Sequence, residues 1–279
     1  MSGYAVEITV AGTEGQILAP VGLTSAASAC MGCTVTGGSV RRLTETTTGQ
    51  EVLLVTPEAA EVVFCYGYSG VPAAYPEAIF HPAPSRFTRA AEALIEEAQQ
   101  LAGQGDALER ATRLARAVAE RFTYGHPEVR FNDGFDHIPH LGCGLTEGSC
   151  VDIHTYLIAS FRASGIEAGY VVGIYFREDG SSSGGHCWAV TRIGGATQEW
   201  DIAHFLRIGR RDISPALNPR GGFRAPVGHS MGLALPEIGV EELKLLSEPM
   251  MLRNGLPERF AQKRIRQLSP VSLQSGSIA

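Results

Sequence analysis

Residues 148–165 read Gly148-Ser149-Cys150-Val151-Asp152-Ile153-His154-Thr155-Tyr156-Leu157-Ile158-Ala159-Ser160-Phe161-Arg162-Ala163-Ser164-Gly165. Ile153, Tyr156, Leu157 and Phe161 recur with the period of one helix face. Ser149 suits an N-cap and Gly165 a stop, so the pattern predicts a helix over 151–163 with Cys150 at its first turn. There the unpaired backbone N–H groups and the positive end of the helix dipole favour thiolate over thiol. The same N–H groups can donate to an oxyanion formed on an attacked carbonyl.

Three strands are expected downstream: Gly169–Phe176, Cys187–Ile193 and Thr197–Ile202, the last two joined by a Gly194-Gly195 hairpin turn. His186 would open the second strand and Asp201 lie on the third. Counted from the turn, they fall about one diagonal short of facing each other, within hydrogen-bond reach after a small slip of register. Thiol, imidazole and carboxylate in this order are the parts of an activated cysteine nucleophile. The thiolate attacks, the imidazole moves the proton, and the carboxylate fixes the imidazole's tautomer and orientation.

Upstream, Phe87–Ala102 reads as a helix, and Asp106 with Glu109 starts another whose Leu108, Ala111, Ala115, Val118 and Phe122 share a face. Residues 125–145 form an irregular loop carrying His126, His137 and His140, expected to rim a cleft. The first 80 residues alternate or run apolar over Tyr4–Val10, Val52–Val55 and Val62–Phe64, which predicts a β-rich layer. Residues 241–260 read as one or two short helices, and 269–279 as a tail.

The chain has 279 residues, 44% hydrophobic and 19% charged, with net charge −6. That is globular composition, and the acidic balance argues against nucleic acid or an anionic membrane surface as main partner. No apolar run of ~18 residues spans a membrane. The first residues lack a basic stretch followed by an apolar one, and six cysteines are too sparse for a disulfide scaffold, so a reducing cytoplasmic location is expected. The chain has no phosphate-binding glycine loop, and no cofactor or metal is expected. Cys30-Met31-Gly32-Cys33, without a second matched pair, reads as buried thiols rather than a zinc site.

The helix start Gly148-Ser149-Cys150-Val151-Asp152, the corner Arg162-Ala163-Ser164-Gly165-Ile166-Glu167-Ala168, the strand His186-Cys187-Trp188-Ala189 and Glu199-Trp200-Asp201 together resemble the transglutaminase-like superfamily core. His81-Pro82-Ala83-Pro84-Ser85-Arg86-Phe87 is similar to the Pro-Ser-Arg-Tyr segment of bacterial members with an N-terminal β domain. The resemblance spans roughly 85–212. It departs at Glu167 and Gly169, where proline and arginine are common, and at Trp200, which directly precedes Asp201. It implies an α+β, papain-like fold: a cysteine helix packed on an antiparallel sheet, with a β-rich N-terminal domain. The expected division is 1–80 for that β domain, 85–235 for the core and 236–279 for a helical extension and tail.

By resemblance, Cys150 is the nucleophile, His186 the base and acid, and Asp201 the orienting residue. The implied activity is on an amide, peptide or related acyl bond through a thioester, with hydrolysis favoured over transfer. An acyltransferase using a thioester donor, or a non-catalytic binding module, are the alternatives. His140 and His154 are candidate substrate contacts, with packing the blander reading of His154. Asp152 reads as a charge serving the helix dipole, and Trp188 as core behind His186. The substrate, a peptide, protein or small acyl compound, and the oligomeric state are left open.

Overall fold

The computed structural model describes residues 3–12, 15–217 and 219–268; the tail expected over 269–279 lies outside them. The chain begins with six strands: β1 (Tyr4–Ala11), β2 (Gln16–Pro20), β3 (Cys30–Thr36), β4 (Gly38–Thr44), β5 (Glu51–Pro57) and β6 (Glu61–Tyr68). Helices α1 (Glu92–Ala102) and α2 (Ala107–Ala119) follow, then the short parallel pair β7 (Phe122–Tyr124) and β8 (Thr146–Gly148). Next come α3 (Cys150–Ala163), β9 (Glu167–Phe176), β10 (Ser182–Ile193), β11 (Ala196–Trp200), α4 (Ile202–Arg207) and β12 (Phe223–His229). The chain closes through β13 (Leu233–Leu235), β14 (Val240–Leu243), β15 (Met250–Arg253), β16 (Leu256–Arg259) and β17 (Lys263–Leu268).

The fold is α+β. The helix carrying Cys150, α3, packs on β9 and β10 of an antiparallel sheet ordered β11-β10-β9-β12, with α1 and α2 against its other side. Ile153, Tyr156, Leu157 and Phe161 are buried as expected, and so is His154. α4 packs on α3 as well, so the helix is buried over nearly its whole length.

Two further sheets, β17-β1-β6-β3 and β16-β15-β2-β5-β4, hold the N-terminal strands and bury Val6, Ile8, Val55 and Phe64 in a common core. The expected helices over 241–260 are not formed: β15, β16 and β17 complete these two sheets instead. The physical reason is the Asn254-Gly255 pair. Both residues have positive φ, 53° and 75°, in a two-residue loop between paired Arg253 and Leu256. That is the twist a tight hairpin needs and a helix cannot take.

Helix α1 starts later than the expected Phe87. Ala91 N–H donates to the Ile138 carbonyl at 2.9 Å and Ser85 N–H to Thr88 Oγ1 at 2.7 Å, which holds 85–91 in a turn against the histidine-bearing loop. Asp106 caps α2 as read, accepting from the Leu108 and Glu109 amides at 2.9 Å each. Ala111, Ala115, Val118 and Phe122 are buried as expected, joined by Leu114 and Ala119, while Leu108 is exposed.

Gly173 is paired with His186 in the sheet, and a Cβ there would sit 2.3 Å from the Ala225 carbonyl oxygen and 2.8 Å from Trp188. Because one obstacle is backbone, the strands must move apart to admit a methyl group. Gly173→Ala is therefore expected to destabilise the protein by about 1–3 kcal/mol, read as a lower Tm. An unchanged Tm would show that β9 and β12 are not this close. Among the described residues, no helix is long and apolar enough to cross a membrane.

Candidate active site

Cys150 is the first residue of α3, with Ser149 as its N-cap in extended backbone. Asp152 Oδ2 accepts from the Ser149 amide at 2.8 Å and from Ser149 Oγ at 2.7 Å, and it pairs with Arg130 Nη1. The buried carboxylate thus locks the turn that presents the thiol, and its charge serves the dipole end as read.

His186 lies inside β10 rather than at its start, because the strand runs back to Ser182. The hairpin register is unslipped, with Ala189 opposite Trp200 and Ile193 opposite Ala196. Asp201 has left the strand and caps α4, accepting the His204 amide through Oδ1 at 3.1 Å. From that corner its Oδ2 reaches diagonally to His186 Nε2 at 2.8 Å. Position 188 faces 201 in the extended register, and 186 shares its strand face, so the diagonal is bridged by side chains.

Asp201 is fully buried, and three groups besides its own helix end converge on it. Arg224 of β12 pairs with Oδ2 through Nη2 and through Nε at 3.0 Å. His204 Nδ1 lies 3.2 Å from the same oxygen and 2.6 Å from Arg224 Nη2. A guanidinium only donates, so His204 Nδ1 accepts and that ring is neutral. Burial agrees, pushing the His204 pKa down to about 3 despite the attraction of Asp201. The His204 ring stacks on His186 with centroids 4.1 Å apart. Burial favours a protonated Asp201, but His186 and then Arg224 overcome it and hold the carboxyl far below the usual carboxylate range.

Burial alone would lower His186 as well. The charge and hydrogen bond of Asp201, helped by Cys150, reverse this and raise it to about 9. The Cys150 thiol is held well below its ordinary value, first by a hydrogen bond from the Cys187 thiol and then, against burial, by His186. Cys187 itself is pushed well up by burial and by Cys150, so it stays a donor. Because Nε2 of His186 is committed to Asp201, Nδ1 is the nitrogen left for Cys150. Cys187→Ala removes the donor, and the pH midpoint of Cys150 alkylation is expected to rise; a midpoint that stays put or falls would contradict this role.

The remaining sequence candidates separate by burial. His154 is 0% exposed, with Nδ1 3.7 Å from Cys187 Sγ and Nε2 3.8 Å from Asp201, and burial lowers it to about 4. Its side chain is enclosed by the protein on all sides. His140 pairs with Glu97 at 3.3 Å and is not part of the pocket around Cys150. Of the three loop histidines only His126 lines that pocket. Trp188 is buried among Leu23, Ile79 and Val190, behind His186. Glu167, at the departure from the resemblance, binds Arg192 through both carboxylate oxygens at 2.6 and 2.7 Å.

Sequence reading missed Arg224 and His204. Their only signal was polarity inside apolar runs, Phe223-Arg224-Ala225 and Ile202-Ala203-His204-Phe205. Among the described residues, His186, Asp201 and His204 form the one group close enough to share a metal ion. Arg224 donates into both Asp201 Oδ2 and His204 Nδ1, so a fixed cation already occupies those lone pairs and the donor set does not suit a metal. Cys30 and Cys33 do not join such a group, and burial raises Cys33 to about 12, away from thiolate chemistry.

Residues 96–200 match the family model of the transglutaminase-like superfamily. No curated protein matches the chain. Among solved structures, the fold is similar to that of a candidate cysteine protease from Cytophaga hutchinsonii. That protein is 12% identical, the match covers 99% of this chain and 92% of the other, and the TM-score is 0.54. The periplasmic domain of TgpA from Pseudomonas aeruginosa overlaps more loosely, at 11% identity over 76% of this chain and 91% of that one, with a TM-score of 0.39.

Proposed function

We propose, from the premise that residues 96–200 belong to the transglutaminase-like superfamily, that this chain is a cysteine hydrolase of amide or peptide bonds. The observation that carries the reading is the buried pair in which Asp201 holds His186 Nε2 at 2.8 Å, with His186 and Cys150, the first residue of α3, lining one pocket. The resting site is then a thiolate–imidazolium pair.

The Cys150 sulfur attacks the substrate carbonyl carbon, and the π electrons move to oxygen. The Cys150 backbone N–H at the helix end donates to that oxyanion. As the carbonyl re-forms, the C–N bond breaks, and the proton on His186 Nδ1 passes to the departing amine, leaving a thioester. His186, now neutral, takes a proton from water. The hydroxide adds to the thioester, and collapse releases the acid and the thiolate with the proton back on His186. A primary amine in place of water would give transfer from the same intermediate. Asp201 stays ionised throughout and stabilises each imidazolium state.

Hydrolysis needs His186 protonated in the acylation step. Its pKa is raised to about 9, so activity is expected to persist above the ordinary histidine range and decline as pH climbs through about 9. The acid limb falls where the thiolate is protonated, below the ordinary thiol value. Both limbs belong to the coupled pair. An alkaline limb near 6.5 in kcat/KM would contradict the arrangement.

The function is tested by incubating the protein and Cys150→Ala with a tryptic digest and a biotinylated primary amine, then identifying products by mass spectrometry. Cleaved or deamidated peptides formed only by the wild type support hydrolysis. Amine adducts in their place would move the reading to transfer, and equal products from both proteins would remove it.

A further inference from the structure

Part of the wall of the pocket that Cys150 and His186 line comes from outside the matched family region. Ser247, Glu248, Arg259 and Lys263 line it, and the space enclosed is about 150 Å³. That is below the roughly 300–1,000 Å³ of sites that enclose a whole drug-sized ligand. It suits one side chain or one chain end. The strands that form this wall, β16 and β17, are held in the two β sheets by pairing with β15 and β1.

The charge on this wall is unbalanced. Glu248 is 3% exposed and pairs with Lys263 Nζ at 2.6 Å and, more loosely, with Arg259 Nε at 3.6 Å. Two cations thus share one buried carboxylate. The third cation lining the pocket, Arg130, is matched by Asp152. Arg259 is 64% exposed along its side chain, so most of its five N–H donors face solvent beside the pocket. A guanidinium with donors to spare, beside a lysine in a small pocket, is suited to a carboxylate.

We propose that this wall is a carboxylate-recognition subsite, in which Arg259 and Lys263 bind an acidic group of the substrate next to the carbonyl that Cys150 attacks. Glu248 is a positioning residue that holds the two cations toward the pocket. The proposal rests on Cys150 being the nucleophile. The acidic group is either an aspartate or glutamate side chain or a peptide's terminal carboxylate.

The test compares second-order rates of Cys150 alkylation by iodoacetate and iodoacetamide, with the modified residue located by mass spectrometry. Arg259→Gln with Lys263→Gln is expected to lower the iodoacetate-to-iodoacetamide ratio about fivefold to tenfold, with the iodoacetamide rate within about twofold of wild type. Exposed Arg259→Gln alone, which leaves Glu248 paired with Lys263, should lower it in the same direction. Glu248→Gln should raise it, which mere loosening of the wall would not do. The His186 imidazolium attracts iodoacetate equally in all of these proteins, so the variants isolate the wall. A ratio unchanged in the double variant overturns the subsite. An iodoacetamide rate no faster than that of an ordinary thiol overturns the nucleophile instead, whatever the ratio.

Protection identifies the source. Millimolar acetyl-glutamyl-glycinamide slowing alkylation points to a side chain, and acetyl-alanyl-glycine with a free carboxylate points to a chain end. Acetyl-alanyl-glycinamide protecting as well as both acids overturns the proposal.

Discussion

Asp201→Asn is expected to lower turnover by about 10²- to 10⁴-fold while the protein stays folded. The carboxylate sits 2.8 Å from His186 Nε2, and its charge and hydrogen bond raise the pKa of the imidazole against the effect of burial. Asparagine keeps an oxygen for Arg224 but removes the negative charge, and its amide nitrogen can present a donor to Nε2 in place of an acceptor. His186 would then fall toward the neutral form, its proton would be lost from the acid needed by the leaving amine, and the thiolate would lose its partner cation. The loss should appear in kcat more than in KM, because substrate contacts stay in place. A variant within tenfold of wild type would mean that Asp201 does not orient the base.

Arg224→Met should cost the most stability of any single change in the site. Arg224 and Asp201 are both buried, 2% and 0% exposed along their side chains, and removing one partner leaves the other charge short of compensation in a dry place. Losses from broken buried pairs run at about 3–5 kcal/mol, which for a chain of this size is on the order of 10 °C in Tm. Lysine should rescue poorly, since one ammonium cannot serve Asp201 Oδ2 and His204 Nδ1 with the fork that Nε and Nη2 provide. Adding Asp201→Asn to Arg224→Met removes the stranded charge, so the double variant should lose less than the two single losses combined. Simple additivity in thermal denaturation would contradict the coupling.

The parts of this site legible in the sequence are those with a local cause. The helix-end position of Cys150 follows from Ser149, the apolar period and Gly165, and the hairpin from Gly194-Gly195. Asp201 was placed on a strand, and it instead caps α4. A capping aspartate and a strand-end aspartate look alike when the next residues, Ile202 to Leu206, are apolar enough for either element. The partners of Asp201 were not legible because they act at a distance. Arg224 sits 23 residues on, in a strand buried nearly throughout, where an arginine reads as surface until its carboxylate is known. The C-terminal strands were misread for a different reason. Asn254-Gly255 was a usable hairpin signal, but short apolar runs on each side fit a helical period equally well, and the sheets they complete begin more than 200 residues earlier. The family resemblance reached Cys150 and His186, and it did not reach the part of the pocket wall made by Ser247, Glu248, Arg259 and Lys263, which lies beyond residue 200.

The central claim is that Cys150 rests as a thiolate paired with a protonated His186. It is tested most directly by the rate of Cys150 carboxamidomethylation from pH 4 to 10, followed by mass spectrometry on the intact chain, alongside Asp201→Asn. The account predicts a midpoint well below that of a free cysteine thiol, near 8.5, with reactivity sustained through neutral pH, and an upward shift in Asp201→Asn. A single midpoint at the free-thiol value in both proteins would contradict it.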